Sequence, residues 1–428
     1  TDLRGDELLQ PQIAELADLD IRFALGGHDE RDFTEVDAVV RNPAVRRSNP
    51  YLAAARAAGV PVEMEMTIFL RACPARVIGI TGTKGKTTTS ALCGVMLRAG
   101  FPETVVAGNM GISALGQLAG ITASTPVVLE ISSWQLEAMD ELGICPAIAV
   151  LTNISEDHLD TYADFAEYAD TKRSIARHQR SGDVLILNAD DPEVARTRPA
   201  HGVRVIGCGT SVDAGESVRI AGDHLHSTVG GREGEIAIPQ TTALRGAHQR
   251  TNAALAAAAA LARGASLADV EAGLRAFAGV ENRMELVAEI DGVLFVNDTA
   301  ATAPAAAIAS LQAWGDRRIH LIAGGADKRL GFGPLAQAIA RHASSVTLLD
   351  GTATPLLARE LLAAGWQSAS PILRSMDDAV ALARSRAKSG DVVLLSPGCA
   401  SFGLFQDEFD RGRQFRRAVT ESVVEVTS

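Results

Sequence analysis

The residues best suited to chemistry lie at 78–88, where an apolar run meets Gly82, Thr83, Lys84, Gly85, Lys86, Thr87 and Thr88. Glycines there let backbone N–H groups approach phosphate oxygens, and the helix pattern that follows adds a favourable dipole. Lys86 supplies a point charge for β- and γ-phosphates, and the Thr87 hydroxyl can ligate Mg²⁺. Two residues separate Gly82 from Gly85, whereas four separate the glycines of the standard phosphate loop. The bland alternative is a solvated lysine in a glycine-rich turn; the flanking strand and helix patterns count against it. Two more segments place acids and hydroxyls at strand ends. Glu130 precedes Ser132 and Ser133, and His158 lies in the run 152–160 with Glu156, Asp157 and Asp160. A carboxylate beside a phosphate loop suits Mg²⁺, which takes oxygen ligands. By residue type alone both stay open: Glu130 reads as a surface acid and His158 as a capped turn residue.

The elements that must position these residues alternate between strand and helix. Apolar runs predict strands at 21–25, 38–40, 60–62, 76–80, 127–131, 147–152 and 184–187, with helices at 51–58, 63–71 and about 87–99. The glycine-rich stretch 207–234, with short alternating runs at 217–220 and 235–238, predicts a small antiparallel sheet, and helices follow at 252–262 and 267–276. Strands at 293–296, 319–322, 345–349 and 392–395 alternate with helices at 303–314, 334–341 and 377–388. Strand–helix–strand spacing of this kind means α/β units with parallel strands. A linker-like helix at 63–71 and a new strand–helix block from about 280 place boundaries near 68 and 279, giving domains 1–68, 69–279 and 280–428.

Composition narrows the class. With 47% hydrophobic and 21% charged residues, the 428-residue chain is globular, not disordered or fibrous. A net charge of −12 argues against a broad nucleic-acid-binding face. Cys73, Cys93, Cys145, Cys208 and Cys399 are scattered, with no CxxC pair. That fits reduced thiols in a cytosol, not a disulfide framework or a zinc site. The longest apolar run, 253–262, is far short of the roughly 18 residues a membrane helix needs. No secretory signal is recognised. A cytoplasmic chain with neither membrane nor nucleic-acid partner is expected.

Taken together, Gly82–Thr87, Leu129–Ser133, Asn153–Asp160 and Asn188–Asp191 resemble, in this order, the motifs of the Mur ligase family, which includes folylpolyglutamate synthetase. The resemblance covers essentially the whole chain after Arg4. It implies an α/β fold of three domains. An incomplete Rossmann-like N-terminal domain precedes a central P-loop-type ATPase domain with a small antiparallel sheet, and a Rossmann-like C-terminal domain follows. It implies ATP-dependent joining of an amino acid to a UDP-linked carboxylate through an acyl phosphate, with ATP and two Mg²⁺ ions.

Residue by residue, the resemblance assigns Lys86, His158, Lys172 and Arg283 to catalysis. Thr87 and Glu130 match one Mg²⁺ site, and His158 matches the second. Lys172, in the run 171–175 after Tyr168, matches the lysine that carries a carbamate, which turns a cation into a metal ligand. Without that match a lone helical lysine is a solvated side chain. ATP contacts are implied for Gly82 through Thr88, Asn109, Asn252, Arg283 and Asp298. Gln249 stands where the family's G-x-H-N-x-x-N segment has Asn, and Arg283 also reads as a domain-interface ion-pair partner.

The segments 324–328, 396–402 and 405–412 resemble the D-glutamate-adding branch of the family. The implied substrates are UDP-N-acetylmuramoyl-L-alanine and D-glutamate, in peptidoglycan precursor synthesis, with Thr302, Lys328, Ser401 and Phe409 on the amino acid. Asp2, Arg4 and Ser132 are implied contacts of the UDP substrate. The chain departs from the family at Ala300, where most relatives have Lys, and at Ala44, where a Gly is usual. The family's opening βα unit, about 30–35 residues by the size of such a unit, has no counterpart before Thr1, so weak or absent UDP-substrate binding is expected. Three alternatives stay open: a ligase taking L-glutamate, a folate-type polyglutamyl ligase, and a nucleotide-binding homologue without ligase activity. A monomer is expected.

Overall fold

The computed structural model describes residues 1–157, 161–212, 215–328, 330–367 and 371–424. His158 lies outside the described residues. The chain forms two compact units, Thr1–Lys86 with Glu103–Ile206, and Thr87–Pro102 with Gly207–Ser428.

In the first unit the strands run parallel in the order Val184–Asn188, Ile148–Leu151, Val77–Thr81, Val127–Glu130, Val105–Gly108. Nearly every residue of the middle three is buried, which is why they read as unbroken apolar runs rather than alternating ones. Gly79 is the tight point: a Cβ there would sit 2.6 Å from Pro146 Cγ and 2.8 Å from Ile131 Cδ1. The sheet thus brings the C-terminal end of Val77–Thr81 between those of its two neighbours, the place where open α/β sheets bind ligands.

The N-terminal part departs from expectation. The predicted strand at 21–25 is absent; only Leu25 pairs, in an isolated bridge with Asp2. Ile21 and Phe23 are exposed, and a strand without a neighbour leaves its backbone groups to water. The parallel pair that does form is short, Val39–Val40 with Val62–Glu63. The helix expected at 63–71 runs Glu65–Ala72.

In the second unit an antiparallel sheet of Glu216–Ala221, His224–Ser227 and Gly234–Ala237 forms as expected. The helix Ala247–Arg263 begins five residues before the predicted 252, because Gly246 at φ 96° caps it and Gly264 at φ 120° ends it. Its residues Ala253–Ala260 are wholly buried, so small side chains are what the packing admits.

The other sheet of this unit runs Glu285–Ile290, Val293–Asn297, Val392–Leu395, Ile319–Ala323, Ala343–Leu349, Ile372–Leu373. Its first strand is antiparallel and the rest are parallel. That edge strand escaped the sequence reading because its burial is only partial. The signal was Asp291–Gly292, at φ 54° and 75°, a left-handed two-residue hairpin turn. Apolar cores around Leu311 and Leu335 on one side, and Val380 and Phe415 on the other, cover this sheet. All five cysteines are unpaired. Among the described residues no helix is long and apolar enough to cross a membrane.

Candidate functional site

Strand Val77–Thr81 ends at the glycine loop, and the helix Lys86–Gly100 starts from it. Gly82 has φ 146°, and a Cβ on it would lie 1.9 Å from Thr152 Oγ1. Gly85 has φ 83°. Both positions therefore need glycine. The loop is tied to the segment after Ile148–Leu151. Thr83 N donates to Asn153 O at 2.8 Å, Lys84 N donates to Asn153 Oδ1 at 2.9 Å, and Thr152 Oγ1 donates to Lys84 O at 2.7 Å. Thr83 Oγ1 accepts from Ser155 N at 3.0 Å and from the Tyr168 hydroxyl at 3.2 Å. Lys84 pairs with Asp157 at 3.0 Å. The Lys86 ammonium folds over the loop and donates to Gly82 O and Thr83 O, both at 3.0 Å. Thr87 and Thr88 occupy the first turn of the helix. A glycine turn that opens a helix, with a cation folded over it, has the form that can hold an anion.

Glu130 ends the neighbouring strand and is 2% exposed. Its Oε1 accepts from Asn109 Nδ2 at 3.0 Å, while Oε2 is buried with no hydrogen-bond partner among the described residues. A carboxylate oxygen left bare in the interior is costly without a cation, so the residue fits a Mg²⁺ ligand. Asn109, expected at the nucleotide, is held on Glu130 by backbone and side chain alike. Ser132 caps the helix Ser133–Glu141, its hydroxyl exchanging hydrogen bonds with Gln135.

Lys172 lies on the helix Phe165–Arg173 and is 2% exposed. Its Nζ reaches Thr81 Oγ1 at 3.4 Å and lies 5.4 Å from the Tyr168 ring centre. Burial, reinforced by the Lys86 charge, pushes its ammonium well below the lysine range. A neutral amine is the form that can take up carbon dioxide, so the residue fits a carbamate. Among the described residues no cluster of three His, Cys, Asp or Glu stands ready for a metal. The first Mg²⁺ set predicted from sequence rests on Thr87 and Glu130.

The second unit holds the remaining candidates. Asp298 follows strand Val293–Asn297. It accepts from Ser310 Oγ at 2.5 Å, Ser396 Oγ at 3.0 Å and Met284 N at 3.2 Å. Burial nevertheless raises its carboxyl to about 6. Asn252 Oδ1 accepts from Thr89 Oγ1 at 3.3 Å, and its Nδ2 donates to Gln249 Oε1 at 3.0 Å. Gln249, the departure noted above, is thus the residue that orients Asn252. Arg283 is half-buried, and among the described residues its guanidinium has no hydrogen-bond or ion-pair partner.

Lys328 Nζ donates to Thr302 Oγ1 at 3.1 Å. The loops carrying them are fixed by close backbone approach. A Cβ on Gly325 would sit 2.2 Å from Ala400 O, and Ala326 and Ala400 exchange backbone hydrogen bonds at 2.9 and 3.1 Å. Ser401, one residue on, has a buried hydroxyl with no partner among the described residues. Phe409 is 56% exposed. Asp2 and Arg4 pair with each other at 2.8 Å at the surface. Sequence reading did not single out Arg411 or Ser310. One arginine or serine on a helix carries no signal until the fold buries it against a loop.

A profile of the Mur ligase middle domain matches residues 80–260, and one of the Mur ligase glutamate ligase domain matches residues 282–399. The chain belongs to the Mur ligase family. It is 49% identical over 431 residues to UDP-N-acetylmuramoylalanine–D-glutamate ligase of Roseiflexus sp. strain RS-1, covering 98% of this chain and 92% of that one. Identity to the ligase of the same name from Symbiobacterium thermophilum is 38%, over 98% of this chain and 91% of that one. Solved structures share the Mur ligase fold at low identity. MurF from Acinetobacter baumannii superposes with a TM-score of 0.63 at 18% identity, covering 98% and 99% of the two chains. UDP-N-acetylmuramate-alanine ligase MurC from Thermotoga maritima gives 0.60 at 20% identity, covering 96% and 91%. Members of the Mur ligase family are ATP-dependent ligases.

Proposed function

We propose that this chain adds D-glutamate to UDP-N-acetylmuramoyl-L-alanine at the expense of ATP, in peptidoglycan precursor synthesis. The observation that carries this reading is the 49% identity to a D-glutamate ligase across 98% of the chain. The Lys328–Thr302 pair beside the buried Ser401 supports it. A lysine and two hydroxyls on adjoining loops suit a small dicarboxylate.

ATP supplies the phosphoryl group that turns the substrate carboxylate into an acyl phosphate, from which the glutamate amine displaces inorganic phosphate. Lys86 and the N–H groups at the start of its helix hold the phosphates and offset the charge of two approaching anions. Arg283 adds a second cation, and Asn252 and Asp298 orient the nucleoside. Lys328, Thr302, Ser401 and Phe409 hold the amino acid. Thr87 with Glu130, and His158 with Lys172 as a carbamate, would hold two Mg²⁺ ions, which neutralise phosphate charge when bound. Asp2, Arg4 and Ser132 are assigned to the UDP substrate. We further assign domains 1–68, 69–279 and 280–428, and a cytoplasmic monomer. The profile matches fall inside the second and third of these domains.

The test is phosphate release with ATP, Mg²⁺ and UDP-N-acetylmuramoyl-L-alanine, adding D- or L-glutamate in parallel. Release with D-glutamate alone is expected. Release with L-glutamate alone would overturn the assignment and implicate Ala300, which stands where a lysine is usual. Silence with both, with ATP binding retained, would favour a nucleotide-binding homologue.

A further inference from the structure

Arg283 sits in a turn whose shape is unusual on both sides. Asn282 has φ 66° and Met284 has φ 47°, two of the three non-glycine residues with positive φ among those described. A left-handed backbone is unfavourable for most side chains, and Asn tolerates it best after Gly. Such a turn persists only where its surroundings over-determine it.

The surroundings here are specific. Asn282 Oδ1 accepts from Asn297 Nδ2 at 3.1 Å and from Arg416 Nη1 at 3.2 Å. Asn282 N donates to Glu285 Oε2 at 2.8 Å, and Asn282 O accepts from Ala300 N at 3.0 Å. On the other side of the arginine, Met284 N donates to Asp298 Oδ1 at 3.2 Å. The helix Glu408–Val424 makes room for this network. A Cβ on Gly412 would fall 2.0 Å from Asn282 Oδ1. Asn282 and Met284 are buried, while Arg283 between them is half-exposed and its guanidinium bonds to none of the described residues. The turn therefore fixes the backbone of a cation whose own side chain makes no hydrogen bond to it among the described residues.

We propose that Asn282 is a positioning residue for Arg283: its side-chain amide, seated over Gly412, locks the left-handed turn that presents the guanidinium. This rests on the assignment of Arg283 to ATP made above. Pre-set placement of a cation is worth most where charge develops in the reaction.

The decisive variant is Asn282→Gly, which keeps the left-handed backbone available and deletes only the amide. It is compared with Asn282→Asp, Arg283→Ala and the double variant Asn282→Gly/Arg283→Ala, all in the full chain. Readouts are kcat and KM for ATP in phosphate release, and the Kd of ATP by calorimetry. Expected is a loss of about tenfold in kcat/KM for ATP in Asn282→Gly. Asn282→Asp, which keeps both acceptor contacts, should return to within about threefold. In the Arg283→Ala background the glycine change should cost nothing more, because both act through one group. Full activity in Asn282→Gly, or additive losses in the double variant, would overturn the proposal. So would an Arg283→Ala variant with unchanged kinetics and unchanged ATP binding. If no glutamate enantiomer supports turnover, the ligase reading fails, and the same four-variant cycle read as ATP Kd still decides the positioning role.

Discussion

Arg411 and Thr299 are joined twice: Arg411 Nη2 donates to the Thr299 carbonyl and Nε to the Thr299 hydroxyl, both at 2.9 Å. The same guanidinium reaches Cys399 O at 3.3 Å. It is wholly buried, and burial lowers its pKa to about 10. One buried cation thus ties the loop carrying Asp298 and Thr302 to the loop carrying Ser401.

Arg411→Ala should destabilise the second unit by about 3 kcal/mol, because two carbonyls and a hydroxyl lose their donor in a dry interior. It should also raise the KM for glutamate more than that for ATP, since the loosened loops carry Thr302 and Ser401. Urea denaturation and substrate titrations check the two effects separately.

Lys172→Ala and Lys172→Arg should both lose phosphate release by a hundredfold or more, roughly the scale of deleting an electrostatic group at a reacting phosphate. Arginine carries a fixed positive charge and offers no neutral amine for a carbamate. An active Lys172→Arg variant would show that the cation, not the carbamate, is what the site uses. Lys86→Ala should be equally inactive.

Gly82→Ala meets two obstacles at once, a φ of 146° and a Thr152 hydroxyl 1.9 Å from the new Cβ. The loop must shift, and ATP Kd should weaken by about tenfold or more while the sheet beneath stays folded. Calorimetry with ATP, alongside thermal melting, separates these. Unchanged ATP binding would remove the loop from the nucleotide site.

Asp298 gives a pH signature. Its carboxyl is held up to about 6 by burial, from an ordinary 3.8. The folded chain then binds that proton more tightly than the unfolded one. Its contribution is fully present below pH 3.8 and is lost as pH rises to about 6, by about 3 kcal/mol in total. Asp298→Asn lacks this titration, so its stability relative to the parent chain should rise across that window and level off above it. Denaturant midpoints of both chains between pH 4 and 7 measure the difference directly.

Local features were legible without coordinates. The glycine loop is contiguous, and its glycines, lysine and threonines stand out between a strand pattern and a helix pattern. Buried parallel strands such as Val77–Thr81 and Val392–Leu395 are short apolar runs wherever they occur. The strand expected at 21–25 failed for the converse reason: apolar residues predict a strand only if a neighbour is there to pair with it, and periodicity cannot report the neighbour.

Whether a charged group is solvated or buried depends on what the chain brings over it. Residue type marks Lys172 as a surface lysine and Glu130 as a surface acid; packing buries both and leaves one Glu130 oxygen without a partner among the described residues. Asp298 is held by Ser310 and by Ser396, 98 positions away, and Arg411 grips Thr299 across 112 positions. The sequence by itself determined most of the elements, the glycine loop and the family motifs, because each is encoded within a few neighbouring residues. Only the tertiary structure decided which polar groups lose water and which distant partner replaces it, because desolvation and hydrogen-bond pairing are properties of chain segments meeting in space.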